Sequence, residues 1–393
     1  MMQQGREQLD ADWNEQTAIV LEAIRTVARD LLGPHGTTDD GFRITRHADA
    51  DGRPQPWDVL IGRGSYYVGG IRCENPEAVS LRAIAAELPC DDEPAGPGRY
   101  LAYLDTWDRV MTAADDPNLI DPALGGSDTS VRLQVVWRVR LLTLEGGIDD
   151  RPERLLADTY ARRKLPGMRA RVDPKQGYAG SENHLYRVEI HRAGVSRDAS
   201  FKWSRDNGSV VAAVTAFDGD RIVVRPGDAE TRFEAGTWAE PADEITAMCE
   251  RVPPLIRIEA TDDGRRLTTS PAWPLETERP LRRTIRRWDH GEQGRPDAGG
   301  GVPVDERRWI DLEDGIQVSF DGGGEYRSGD SWVFPARPAE GGIEWPGDPG
   351  EPSWIPPDGV AHHRAPLALL DIDRDGALRV AKDLRRAFEP LSR

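Results

Sequence analysis

At 393 residues the chain has material for two or three domains with sizeable cores. Its 51 Lys and Arg against 68 Asp and Glu leave a net charge of −17, which repels phosphate backbones and anionic lipid and argues against nucleic acid and membrane surfaces as partners. No apolar run approaches the ~20 residues of a spanning helix and no charged-then-apolar leader opens the chain, so a cytoplasmic location is expected.

The first thirty-odd residues form the only long segment with a helical apolar period. Leu9, Trp13, Thr17, Val20, Ile24, Val27 and Leu31 step by fours and threes, one stripe of a helix and nearly a coiled-coil seam. Asp12 and Glu15 have the form of a capping box, and Gly33-Pro34 supplies the stop. Such a stripe must be covered, by the chain's own β-structure or by neighbouring subunits. The expected assembly interface is Leu9, Trp13, Val20, Ile24, Val27 and Leu31.

Beyond the helix, twelve Trp, 40 Gly and 30 Pro point to many short strands and turns. The run from Trp57 to Cys73 reads as two strands around Gly62-Arg63-Gly64, with Gly69-Gly70 kinking the second. Leu81 to Leu88 reads as a short helical turn and Arg99 to Met111 as a strand. Val131, Leu133, Val135, Trp137, Val139 and Leu141 alternate with polar residues, a long strand with one buried and one wet face. Gly146 to Gly180 lacks periodicity and reads as a linker holding one short helix. His184 opens a second β-rich block, in which Asp206-Asn207-Gly208 signals a hairpin. The glycine-rich Gly291 to Gly301 is a connector, further strands follow, and AKDLRRAFEPL is expected to close the chain as a short helix.

The expected fold class is therefore mainly β, a multi-domain antiparallel sandwich or barrel-like architecture with one long N-terminal α-helix. The divisions are 1–34 helix, 35–145 first β domain, 146–180 linker, 181–291 central β domain, 292–301 connector and 302–393 C-terminal β region. Cys73, Cys90 and Cys249, odd in number and widely spaced, fit reduced thiols.

Candidate chemistry is sparse. His184 and His191 are seven apart, so on one strand they point to opposite faces and cannot share an ion. His362 and His363 are the weak candidates for a metal site, against a simpler reading of one hydrogen-bonded and one surface histidine. DIDRDG at Asp371 to Gly376 begins like a calcium loop, but Arg379 and Lys382 stand at ligand positions, and a β-hairpin accounts for the same residues. Gly62 and Gly64 do not complete a dinucleotide fingerprint. No phosphate loop, nucleophile elbow or zinc-protease helix is present in the sequence. No cofactor and no catalytic residue is expected. Cations beside tryptophans, in LRRTIRRWDH and KWSR, suit cation-π stacking or sugar binding, with intramolecular pairing to Asp and Glu as the simpler account.

Several stretches, among them LDADWNEQ, YYVGGIRCEN, ENHLYRVEIHRAG, FKWSRDNGSVV, LEDGIQVSF and PDGVAHHRAPLALL, together resemble a large bacterial family with DWNEQ and KWSRDNG signatures. The resemblance covers nearly the whole chain in order and brings no catalytic residues with it. It implies an association with phage-tail-like contractile injection systems. Relatives carry a leader ahead of the Met-Gln-Gln that here coincides with Met1, which implies either a start further upstream or a missing attachment segment.

The expected function is a non-catalytic component of such a particle, baseplate- or fibre-associated, with copies of itself (a trimer) and other tail or baseplate proteins as partners. The alternative is a carbohydrate-binding or carbohydrate-cleaving β protein, suggested by the tryptophans and scattered acids.

Overall fold

The computed structural model describes residues 9–90, 92–124, 127–144, 151–161, 164–225, 233–262, 264–275, 281–291 and 294–389. The chain is mainly β, antiparallel, with one long N-terminal helix. It divides into two compact units that do not follow chain order. The first holds residues 1–109, 134–161 and 361–393, and the second holds 110–133 and 162–360.

In the first unit a four-stranded sheet runs in the order Arg132–Thr143, Gly98–Met111, His363–Ile372 and Leu378–Asp383. Tyr100, Ala102 and Leu104 point from one face into a core with Phe42, Ile61, Tyr66 and Leu370. Leu101 and Tyr103 point the other way, against Leu156 of the helix Pro152–Tyr160. Both faces are covered, which is why RYLAYL reads as a continuous apolar run. Two three-stranded sheets complete the unit: Ile44–Ala48, Pro54–Ile61 and Val79–Ser80; and His35–Gly36, Gly64–Val68 and Ile71–Asn75.

The second unit combines a sandwich and a barrel. Strands Val302–Pro303, Ser200–Ser204, His184–Arg192, Ser331–Arg337 and Gly342–Ile343 form one sheet; Met168–Val172, Ile316–Phe320 and Ile310–Asp311 form another. Tyr186, Phe201, Phe320, Trp332 and Phe334 fill the core they share. A closed six-stranded barrel follows, in the order Val211–Asp218, Arg221–Arg225, Arg266–Ser270, Ile256–Asp262, Trp238–Asp243 and Arg283–Trp288. Its interior is mostly aliphatic, with Ala212, Ile222, Val224, Ile256, Ile258, Leu267 and Ile285 packed beside Phe233 and Trp273.

Several expectations need correction. Gly69-Gly70 does not kink a strand: both glycines have positive φ and turn the chain between Gly64–Val68 and Ile71–Asn75, a glycine-pair hairpin. The Asn207-Gly208 turn exists (φ 53° and 64°), but the strands it joins belong to the sandwich and the barrel and do not pair with each other. The expected linker contains the strand Met168–Val172, whose Met168 and Ala170 are buried while Arg169 and Arg171 lie over Trp309. Arginine in alternation disguised it. Val131, just ahead of Arg132–Thr143, and Leu133 and Val135 on it are exposed, whereas Val136 and Arg138 are buried, Arg138 in a bidentate pair with Asp92. No helix closes the described chain. The backbone there is committed elsewhere, with Arg386 O accepting from Thr37 N and Phe388 N donating to Thr37 O. Residues 146–150, 162–163 and 292–293, in the expected linker and connector, lie outside the described residues. Cys73 is a buried free thiol, but Cys90 and Cys249 are disulfide-bonded. No described helix is long and apolar enough to cross a membrane.

The DIDRDG segment is the tip of the hairpin between His363–Ile372 and Leu378–Asp383. Asp373 Oδ1 accepts from the amides of Asp375 and Ala377, and Asp371 pairs with Arg99 and Arg379. In the second unit Gly300 is required by both its dihedral and its neighbours. At Gly300 (φ 84°) a Cβ would lie 2.6 Å from the Trp238 ring and 2.7 Å from Leu255 Cβ. Gly300→Ala is expected to destabilise the second unit by about 2–4 kcal/mol, combining left-handed strain with overpacking. Urea unfolding followed by tryptophan fluorescence measures it.

Candidate functional site

The N-terminal helix spans Asp10–Leu32, beginning earlier than a box at Asp12 and Glu15 implies; Asp12 Oδ2 instead accepts from Leu9 N at 3.4 Å. Gly33 (φ 77°) ends it, donating to Arg29 O at 2.9 Å. Two arginines hold it to the first unit. Arg25 makes a bidentate pair with Asp108 (2.7 and 2.9 Å), and Arg29 Nη1 donates to Gly69 O at 3.3 Å. Gly70 permits the approach, since a Cβ there would sit 2.3 Å from Arg25 O.

No residue of this helix is buried. Its partly covered positions, Leu21, Arg25, Thr26, Ala28, Arg29 and Leu32, mark the side nearest the β-structure. The apolar stripe lies elsewhere on the helix. Leu9, Trp13, Val20, Ile24, Val27 and Leu31 are 49 % (Val20) to 64 % (Leu31) exposed. A helix normally turns such a stripe inward; here polar pairs do the anchoring and the apolar residues are left outside.

The two adjacent histidines part ways. His362 Nδ1 lies 3.0 Å from the buried Asp105 Oδ1, with its ring 4.9 Å from that of Trp107. His363 packs over Gly69, and burial, followed by Arg25 and Arg29, lowers its pKa. His184 contacts Tyr186 edge-on, on the sandwich-core face of its strand, while His191 belongs to the opposite face.

That opposite face carries a buried polar network that sequence reading did not assemble. On Ser200–Ser204, the period of two sends Phe201 and Trp203 into the sandwich core and Ser200, Lys202 and Ser204 toward the barrel. Lys202, 2 % exposed, lies 2.6 Å from Glu240 Oε1 and 3.2 Å from Glu189 Oε1, with its ammonium 4.5 Å from the Trp288 ring centre. Trp288 Nε1 donates to Glu240 Oε2 at 3.0 Å. Intramolecular pairing thus accounts for the KWSR cation, with cation-π contact added. Burial, with Lys202 adding to it, pushes His191 down to about 4. His290, whose Nε2 is 2.8 Å from Gly300 O, is also pushed down to about 4, mainly by burial.

On the core side, an open cavity of about 450 Å³ is lined by Trp203, Arg257, Asp289, Asp311 and Glu313 among others. Glu313 Oε1 accepts from Tyr186 OH (2.9 Å) and Oε2 from Arg205 (2.6 Å). Asp289 Oδ2 accepts from Ser204 Oγ and Arg205 N, and its Oδ1 lies 2.9 Å from Arg287 Nε. Burial raises Glu313 to about 6, against the opposing pull of Arg205 and Tyr186. Three of the stretches quoted for the family resemblance, HLYRVEIHR, KWSRDNG and LEDGIQVSF, meet at this point through Tyr186, Arg205 and Glu313.

Comparison with protein families matches residues 1–165 and 170–379 to the Family of unknown function (DUF6519). The chain belongs to this family. Comparisons with curated proteins and with solved structures found no match.

Acid should loosen the second unit. Because His191 and His290 are held below their ordinary value, the unfolded chain takes up protons first; stability is complete above about pH 6.5 and falls as pH drops toward 4. The expected loss is on the order of 2 kcal/mol per histidine by pH 5, read from urea midpoints across pH, and His191→Gln should remove its share of the slope. Lys202→Met, which leaves Glu240 without its ammonium partner and Glu189 with Arg187 alone, is expected to cost about 3–5 kcal/mol at pH 7.

Proposed function

We propose that this chain is a non-enzymatic structural β protein, built into a multi-copy particle through its N-terminal helix and displaying the β-units behind it. The observation that supports this is the outward stripe. From Trp13 the exposed positions Trp13, Thr17, Val20, Ile24, Val27 and Leu31 follow the four-three alternation of a coiled-coil seam. Covering such side chains stabilises an assembly by roughly 1 kcal/mol or more each. Copies of the same helix supply the matching surface, and a trimer is the expected stoichiometry. The particle is of the phage-tail-like, contractile-injection class, with other tail or baseplate proteins as further partners; the family resemblance is the ground for that choice.

Light scattering after size exclusion tests the assembly. A trimer at micromolar concentration is expected, and Trp13→Asp or Ile24→Asp should reduce it to monomer without changing the thermal unfolding of the β-units. A native protein that runs as a monomer would overturn the reading. Genes for sheath, tube and baseplate beside the coding sequence are expected for the particle assignment, and a metabolic neighbourhood counts against it.

A further inference from the structure

We infer that the cavity of the second unit is a binding site for a neutral, hydroxyl-rich ligand, a glycan presenting one or two sugar rings. The volume of about 450 Å³ lies within the range of small-molecule sites. Its walls divide by chemistry. Trp203, Val302, Ile310 and Leu312, each under a tenth exposed, form its apolar floor. Asp289, Asp311 and Glu313 supply acceptors, and Arg257 supplies a cationic donor.

The carboxylates are fixed before any ligand arrives. Tyr186 and Arg205 hold Glu313, Ser204 and Arg205 hold Asp289, and Gln317 Nε2 donates to Asp311 Oδ1 at 2.7 Å. Each carboxylate oxygen has two lone-pair directions, so oxygens that receive one internal donor keep capacity for another. Preorganised groups lose little freedom on binding. Three acids disfavour phosphate, sulfate and carboxylate ligands. A hydroxyl group both donates and accepts, so one sugar ring can donate to the acids and accept from a guanidinium N–H. Glu313, raised to about 6, changes from donor to acceptor within the neutral range and serves hydroxyls in either form. This inference is independent of the helix and its assembly.

The full-length protein, labelled and folded by circular dichroism, should bind one or more neutral saccharides on a glycan microarray. Calorimetry with the best-bound saccharide should then show at least a ten-fold loss of affinity in Glu313→Gln and in Asp311→Ala, whose side chain lies at the exposed rim and whose replacement leaves the core intact. Ile24→Asp, which targets assembly alone, should bind the saccharide with unchanged affinity per site. Absence of any saccharide binding, equal affinity in both cavity variants, or binding confined to sialylated and sulfated glycans would overturn the site as described. So would calorimetric binding of spermidine in place of saccharide, which would identify a cation site.

Discussion

One ammonium group joins the two halves of the second unit's architecture. Lys202 stands on a sandwich strand, and its two acidic partners come from different places, Glu189 from the neighbouring strand of the same sheet and Glu240 from the barrel. Isolated in this interior, any of the three charges would carry a large desolvation cost. Together they balance: burial works to raise both glutamates, and Lys202, joined at Glu189 by Arg187, holds them below the usual carboxylate range. Trp288 closes the ring by donating to Glu240 and offering its face to the ammonium. The strand Ser200–Ser204 is thereby fixed in register, and Trp203 reaches the cavity because Lys202 faces away from it, while Arg205 pairs with Glu313 in its wall.

The helix obeys a different logic. Its attachment is polar and narrow, two arginines against an aspartate and a carbonyl. Ion pairs of this kind, partly screened by solvent, contribute modestly. They leave the apolar stripe uncommitted, an arrangement that stores binding capacity on the surface instead of spending it in the core.

The N-terminal helix was legible because seven apolar or small residues repeat over three heptads, and the mainly β class because glycine, proline and tryptophan are abundant in short alternating runs. Which way the stripe faces was not legible: it depends on Arg25 meeting Asp108, a contact spanning 83 residues. The strand Met168–Val172 escaped because its alternating arginines look like linker, and only Trp309 and Trp354, brought alongside by the fold, show why they belong there. The cavity was invisible for the same reason on a larger scale. Tyr186 and Glu313 are separated by 127 residues, and among 68 acids nothing in the order of the chain singles out Glu313. His362 and His363 attracted interest as neighbours, and the fold gives one to Asp105 and the other to Gly69.

The division of the chain also sets an order of events during synthesis. All of the second unit lies before Ala361, whereas the first unit's four-stranded sheet needs the last strands, His363–Ile372 and Leu378–Asp383, beside Gly98–Met111. Domains fold as units once their residues have emerged. The nested unit can therefore mature on the ribosome while the enclosing one waits for the C-terminal strands, and the helix at the front of the chain spends most of translation tethered to an unfinished sheet.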